Sequence, residues 1–337
     1  MANPQSTYPP LGIPIPNAQI TPIRDVWAQN LEQEFLLIMD LIDRYPIVSM
    51  DTEFPGVVAR PMGVFKSSAD YHYQTLRTNV DSLKIIQIGI SLCDWEGNFP
   101  SEALAWQFNF QFSLQDDIGI DFKKHQEFGI RPVDFGELLI ASGLVLLEEV
   151  TWITFHSGYD FGYLLKVMTQ CPLPSEYEDF YKLLCIYFPN TYDIKYIMKA
   201  ITNTQKGLQD IADDFQITRI GPQHQAGSDS LLTAQTFFEM CARYYDGKID
   251  PNMLGQLYGL GTANSSLLMN TPSTPKTQFR DLPGIHPSPT MANTAISGSQ
   301  MPSSHNPNLP PSSATPMSAF TNPLLRYTHR VSDTRIS

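Results

Sequence analysis

Apolar side chains at Leu31, Phe35, Ile38 and Ile42 recur with helical spacing and line one face. This predicts a helix capped by Asp25 that runs to about Arg44 and is stopped by Pro46. Ile47 to Glu53 reads as a strand cut off by Pro55-Gly56, and Gly63 to Tyr73 as a loop. Leu83 to Leu92 is rich in isoleucine and reads as a buried strand, followed by a turn at Asp94 to Asn98. Trp106, Phe108, Phe110 and Phe112 then alternate with Gln107, Asn109 and Gln111, the signature of a strand with one buried face. Beyond this point the period becomes helical. Helices are expected over Val133 to Leu147 (broken near Gly143), Tyr159 to Thr169, Glu176 to Tyr187, Ile194 to Ile201, Leu208 to Phe215 and Leu231 to Tyr245. One further strand, Thr151 to Phe155, lies among them. The expected class is α/β, a mixed sheet flanked by helices in a single domain.

Composition limits that domain. The chain has 337 residues, and the 75 from Ala263 to Ser337 hold 11 of its 27 prolines, 13 serines and only seven charged residues. Such a stretch cannot bury enough apolar surface to offset its ordering entropy. Residues 263–337 are therefore expected to be a disordered Pro/Ser-rich tail. Residues 1–22, uncharged and proline-containing, are expected to be a disordered leader. The folded domain is expected over residues 23–262, long enough for a sizeable core. The longest near-continuous apolar run, Leu138 to Leu147, is too short to span a bilayer, and the N-terminus has no secretory pattern. Cys93, Cys171, Cys185 and Cys241 show no Cys-x-x-Cys spacing and read as reduced, mostly buried thiols. Residues 1–262 carry 17 basic and 32 acidic side chains, a net −15. That argues against a broad basic face for coating nucleic acid, but not against an enzyme that meets phosphate through bound cations.

Three stretches carry candidate chemistry. Asp51 and Glu53 close a predicted strand and point to the same face, where they repel unless a cation lies between them. Asp160 opens a helix straight after the strand Thr151 to Phe155. Asp229 opens the last helix and follows His224 by five residues, about 140° apart on a continuous helix. Pro222 and Gly227 place His224 on a loop that can fold the imidazole back over the carboxylate. Each acid alone fits a strand end or helix cap as well as a site. Together, four acids at element ends form an oxygen-only ligand set, which favours Mg²⁺ or Mn²⁺. Two such ions about 3.5–4 Å apart clamp the attacking and leaving oxygens of a phosphodiester displacement. A histidine beside them is suited to take the proton of the attacking water.

The order DTEFPG, HSGYDFGYLL, IGPQHQAGSD closely resembles the DEDD exonucleases with a histidine in the third motif. More narrowly, it is similar to the Caf/Pop-type mRNA deadenylases, nuclease subunits of the CCR-NOT complex. Supporting stretches are SMDTEFPGVVARP, YHYQTLRTNVDSLKIIQIG, WQFNF, YDIKYIM, KGLQDIAD and QLYGLG, and the likeness runs in order from Ile23 to Gly261. The resemblance implies a ribonuclease H-like fold and a 3′-to-5′ exoribonuclease that shortens poly(A) tails and releases AMP. It implies that Asp51, Glu53, Asp160 and Asp229 hold two divalent cations, Mg²⁺ or Mn²⁺, and that His224 is the general base. Phe54, Leu208 and Gln209 are expected to border the terminal nucleotide. Asp193 reads as a helix cap, and Arg60 and Lys66 as solvated charges. The implied partners are poly(A) RNA, a CCR-NOT scaffold subunit and a second deadenylase subunit, with cytoplasmic and also nuclear location and no membrane. Two rival readings stay open: a domain that chiefly docks on the scaffold, and an exonuclease for DNA or general RNA. Around Asp117-Ile118 the chain is about a dozen residues shorter than similar deadenylases, from which lower stability is expected. Thr274-Pro275 and Ser288-Pro289 in the tail are candidate phosphorylation sites.

Overall fold

A computed structural model describes residues 22–112, 122–247 and 249–260. The shortened segment at Asp117-Ile118, the tail with its Ser-Pro and Thr-Pro sites and all but the last residue of the leader lie outside the described residues. The strands β1 (Ile23–Val26), β2 (Ile47–Glu53), β3 (Gln87–Cys93), β4 (Ala105–Asn109), β5 (Thr151–Thr154) and β6 (Asn190–Asp193) form one sheet in the order β1-β4-β3-β2-β5-β6. β3 runs antiparallel to both β2 and β4, whereas β1–β4, β2–β5 and β5–β6 are parallel pairs. The carboxyl ends of β2, β5 and β6 therefore open on one edge, where an α/β sheet is best placed to hold a ligand.

Helices cover both faces. They are α1 (Leu31–Leu41), α2 (Ser68–Ser82), α3 (Phe122–Phe128), α4 (Pro132–Ala141), α5 (Gly158–Thr169), α6 (Tyr177–Tyr187), α7 (Ile194–Thr202), α8 (Leu208–Asp214) and α9 (Ala226–Tyr244). Strand alternation divides the core in two. Val48, Met50, Ile88, Ile90, Phe108 and Trp152 face the larger cluster with residues of α1, α2, α4, α5 and α6. Ile47, Cys93 and Ile153 face the smaller one, with α7, α8 and α9. Among the described residues, no helix is long and apolar enough to cross a membrane.

Several sequence expectations shift. Asp25 does not cap the first helix. It lies in β1, where its carboxylate accepts hydrogen bonds from the Gln107 and Asn109 side chains at 3.2 and 3.3 Å, and α1 starts only after Asn30. Pairing with β4 gives β1 the backbone partners that an early helix turn lacks. The expected loop up to Tyr73 contains the start of α2, whose N-cap Ser67 accepts a hydrogen bond from the Asp70 N–H. The following strand accordingly begins at Gln87 rather than Leu83. Only Tyr73, Leu76, Asn79 and Val80 of α2 are buried, too thin a stripe to stand out in a polar stretch. Gly158 and Gly162 of α5 let Leu76 and Val80 approach closely: a Cβ on either glycine would lie 3.0–3.2 Å from those side chains.

The strand around Trp106 is buried on both faces, not one. Gln107 and Asn109 are covered by α9 and stay satisfied by polar partners. Gln107 Oε1 accepts from the Gly227 N–H at 3.2 Å, and Asn109 Oδ1 accepts from Gln87 Nε2 at 2.9 Å. Gln87 Oε1 in turn accepts from the Ala226 N–H at 3.4 Å. Side chains of β3 and β4 thus satisfy the free donors at the start of α9. The helix can come this close because β3 carries Gly89, where a Cβ would lie 1.8 Å from the Ala226 carbonyl oxygen. Gly89→Ala is expected to push the start of α9 off the sheet and to cost about 3 kcal/mol, as overpacking against backbone does. Thermal melting of the purified variant checks this; an unchanged melting temperature would refute the close approach.

Candidate functional site

β2 is buried until its end, and its last turn outward brings Asp51 and Glu53 to the carboxyl edge on the face covered by α9. Asp229 lies in the first turn of α9, where the docking through Gly89, Gln87 and Gln107 sets its position. One carboxylate oxygen from each of Asp51, Glu53 and Asp229 lies within 4.8 Å of the other two. Asp160 comes from the opposite face of the sheet, in the first turn of α5. Thr52, which alternation turns away from Asp51 and Glu53, donates its hydroxyl to Asp160 Oδ1 at 2.5 Å. Acids from both faces therefore meet where the sheet ends.

This concentration of charge is costly. Burial pushes the Asp51 carboxyl well above the ordinary carboxylate range; Asp160, Asp229 and Glu53 push it further, and Arg219 opposes them. Burial, followed by Asp229 and Asp160, raises Glu53 to about 7. Asp160 also rises to about 7 through burial, against the hydrogen bond from Thr52. An all-oxygen cluster with these properties fits divalent hard cations.

One permanent cation is already built in. Arg219 Nη1 lies 2.8 Å from Asp229 Oδ1, and both side chains are largely buried. The same guanidinium donates to Gln209 Oε1 at 2.6 Å and to Ser228 Oγ at 3.0 Å. Gln209, half-buried at the start of α8, is thereby tied to the carboxylates through Arg219. Leu208 beside it is half-buried and opens α8. Phe54 follows Glu53 and packs its ring on Tyr159 at 5.2 Å and on Tyr163 at 5.0 Å between centroids, so its inner face belongs to the core. His224 lies outside the carboxylate cluster, on the exposed loop before α9, in the left-handed region at φ 61°. Lys66 pairs with Glu176 on the surface, and Arg60 is exposed.

Sequence reasoning missed Thr52 and Arg219. Thr52 was legible as the one residue between the two acids that faces the other way. Nothing in the run around Arg219 distinguishes it from a surface arginine. Asp193 proves more than a helix cap. It is fully buried and accepts hydrogen bonds from the backbone N–H groups of His156, Ser157, Lys195, Tyr196 and Tyr258.

Residues 26–135 and 143–237 match the model of the CAF1 family ribonucleases. The chain is 67% identical over 341 residues to the poly(A) ribonuclease pop2 of Schizosaccharomyces pombe, covering 98% of each. It is 47% identical to a probable CCR4-associated factor 1 homolog of Arabidopsis thaliana over 264 residues, 73% of this chain and 96% of the relative. Among solved structures, the S. pombe Pop2p structure with Mg²⁺ and Mn²⁺ bound superposes with a TM-score of 0.70 at 73% identity, over 71% of this chain and all of that one. A yeast CAF1 structure co-crystallised with the NOT1 MIF4G domain matches with a TM-score of 0.61 at 36% identity, over 70% of this chain and 96% of that one. The sheet order, the carboxylates at its open edge and this likeness over most of the domain place the chain in one group: it belongs to the CAF1 family of ribonucleases.

Proposed function

We propose that the chain is a metal-dependent 3′-to-5′ exoribonuclease that shortens mRNA poly(A) tails, releases AMP and works as a subunit of the CCR-NOT complex. The observation that carries this reading is the convergence of Asp51, Glu53 and Asp229 within 4.8 Å, with Asp160 beside them, in a chain so similar to a poly(A) ribonuclease. Support for the cations comes from the all-carboxylate donor set and from the Mg²⁺- and Mn²⁺-bound relative. A yeast relative held by a NOT1 domain supports docking on a CCR-NOT scaffold subunit. A second deadenylase subunit as partner, and a cytoplasmic and nuclear location, complete the proposal.

In this reading Asp51, Glu53, Asp160 and Asp229 hold two divalent ions, Mg²⁺ or Mn²⁺. When bound, these supply charge stabilisation at the scissile phosphodiester and acidify a water. The chain's own residues do the rest. Thr52 orients Asp160, and Arg219 orients Asp229 while keeping part of its charge neutralised in the absence of cations. His224, on the exposed loop before α9, is the group that would take the proton from the attacking water. Phe54 offers its outer ring face to the terminal base, and Leu208 and Gln209 border the same cleft.

Asp51→Ala is expected to lower nucleotide release from an RNA ending in adenosines by at least a thousandfold in Mg²⁺ or Mn²⁺. Stepwise shortening on a denaturing gel reads this; shortening that persists in the variant would sink the proposal. His224→Ala is expected to cost about 10²–10⁴-fold in turnover with little change in KM, the usual range for losing a general base. In chelator the carboxylates also impose a pH trend. Glu53 and Asp160 have folded pKa values raised to about 7, so the folded state binds protons more tightly than the unfolded state between ordinary carboxylate values and pH 7. Their contribution to stability therefore falls as pH rises through that window. Glu53→Gln, which cannot ionise, is expected to gain melting temperature over the unsubstituted protein at pH 8 but not at pH 5. Added Mn²⁺ is expected to stabilise the unsubstituted protein more at pH 8 than at pH 5, because protons and cations compete for the same oxygens.

A further inference from the structure

Along the same edge of the sheet, beyond the carboxylates, a second cluster is assembled from three distant parts of the chain. His156 follows β5, Lys195 and Lys199 lie on α7 after β6, and Tyr258 lies in the segment after α9. The buried Asp193 carboxylate anchors all three stretches by their backbones. It accepts from the N–H of His156 at 2.9 Å, of Lys195 at 3.0 Å and of Tyr258 at 2.9 Å. What this brings together is a half-buried aromatic ring beside two lysines that share one face of α7. The Lys195 and Lys199 ammonium groups lie 5.0 and 5.1 Å from the Tyr258 ring centroid, and Lys195 also lies 5.5 Å from that of Phe155. The His156 ring meets Tyr258 edge-on at 5.0 Å, and burial together with Lys195 holds its pKa below the ordinary value. Among the described residues neither lysine is in an ion pair. Asp193, the acid beneath them, is already engaged by backbone donors. In a chain of net charge −12 this is a local excess of positive charge with a neutral ring and a phenol beside it.

We propose that the His156–Lys195–Lys199–Tyr258 patch binds single-stranded RNA upstream of the end held at the carboxylates, the lysines taking phosphates and Tyr258 a base. The inference rests on the ribonuclease reading and deepens it. Two arguments favour RNA as the occupant. Lysines beside an aromatic ring match a backbone of phosphates interleaved with stacking bases. The patch also continues the edge that carries the carboxylates. β6 is two strands from β2, about 10 Å at ~4.8 Å per strand. Stacked nucleotides at ~3.4 Å each cover that span in about three steps. The lysines thus meet the strand just beyond the nucleotides that the carboxylate edge itself accommodates, and they offset the repulsion an acidic chain exerts on RNA.

The test uses the full chain and fluorescent oligoadenylates of two and eight nucleotides, with Ca²⁺ replacing the catalytic cation during binding. Fluorescence anisotropy is followed over a salt series for the unsubstituted protein, for the Lys195→Gln/Lys199→Gln pair and for Tyr258→Leu. Melting temperatures verify that each variant is folded. The lysine pair is expected to weaken binding of the eight-nucleotide probe about tenfold and to make its log–log salt slope shallower by about 1.4, the value for two lost contacts to a single strand. Tyr258→Leu is expected to weaken the same probe severalfold with its slope unchanged. The two-nucleotide probe, too short to reach the patch, is expected to bind all three proteins alike. Equal affinity and slope for the eight-nucleotide probe in the folded lysine variant, while the unsubstituted protein still shortens it in Mg²⁺, would overturn the patch alone and leave a protein partner as its occupant. Failure of the unsubstituted protein to shorten that probe in Mg²⁺ or Mn²⁺ would overturn the ribonuclease reading, and this inference with it.

Discussion

Four carboxylates brought to one edge of a sheet cannot all carry their charge without something to balance it. The rest of the domain is arranged around that constraint. Asp51 and Glu53 are raised in pKa by burial and by each other's neighbours, and Arg219 offsets only part of the repulsion. A fold that merely needed stability would place such groups in solvent. Here the backbone instead forces them together. β2 ends on two acids, α9 is drawn onto β3 until Asp229 reaches them, and α5 supplies Asp160 from the other side. A divalent cation bound among these oxygens would relieve the unfavourable free energy of the cluster.

The means of drawing α9 so close is a polar interior. Ser49 donates to the Ser230 carbonyl at 2.8 Å, and the Ser91 and Ser230 hydroxyls lie 3.3 Å apart. Gln87 and Gln107 cap the start of the helix from below, and Gly89 leaves room for its backbone. A greasy interface of the same area would allow the helix to slide. Directional bonds in a low-dielectric interior fix one register, and an error of an ångström there would scatter the carboxylates. The apolar stabilisation is supplied mainly on the other face, by the ring cluster of Phe35, Phe108, Phe110 and Phe135. One face of the sheet thus holds the domain together while the other positions the chemistry.

Asp193 plays the corresponding part at the far strand. A single buried carboxylate gathers backbone donors from the turn before α5, from the start of α7 and from the segment after α9. It links the turn that presents Asp160 to the surface that presents Tyr258 and the two lysines. The Asp193 carboxylate thus fixes the turn that leads to Asp160 against the segments that carry Lys195 and Tyr258.

Much of this was legible in the residues. The central strands, α5 to α9 and all four acids follow from alternation, from helical period and from the motifs that close strands and open helices, because these are local properties of the chain. Short edge strands such as β1 and β6 were not legible, since four residues carry too little pattern and their identity comes from pairing. Nor was α2, whose thin buried stripe is defined by what packs opposite it, the glycines of α5 against Leu76 and Val80 and the rings of α6 against Tyr73. The alternating glutamine and asparagine of β4 looked like a solvent face, and only the docking of α9 made them interior. From local pattern alone the four acids could be named and assigned to the ends of β2 and the starts of α5 and α9. The tertiary structure alone decided that Thr52 holds Asp160, that Arg219 neutralises Asp229 and links it to Gln209, and that Asp193 ties three distant segments together. Those contacts join residues up to 108 positions apart, and no local rule of spacing reaches that far.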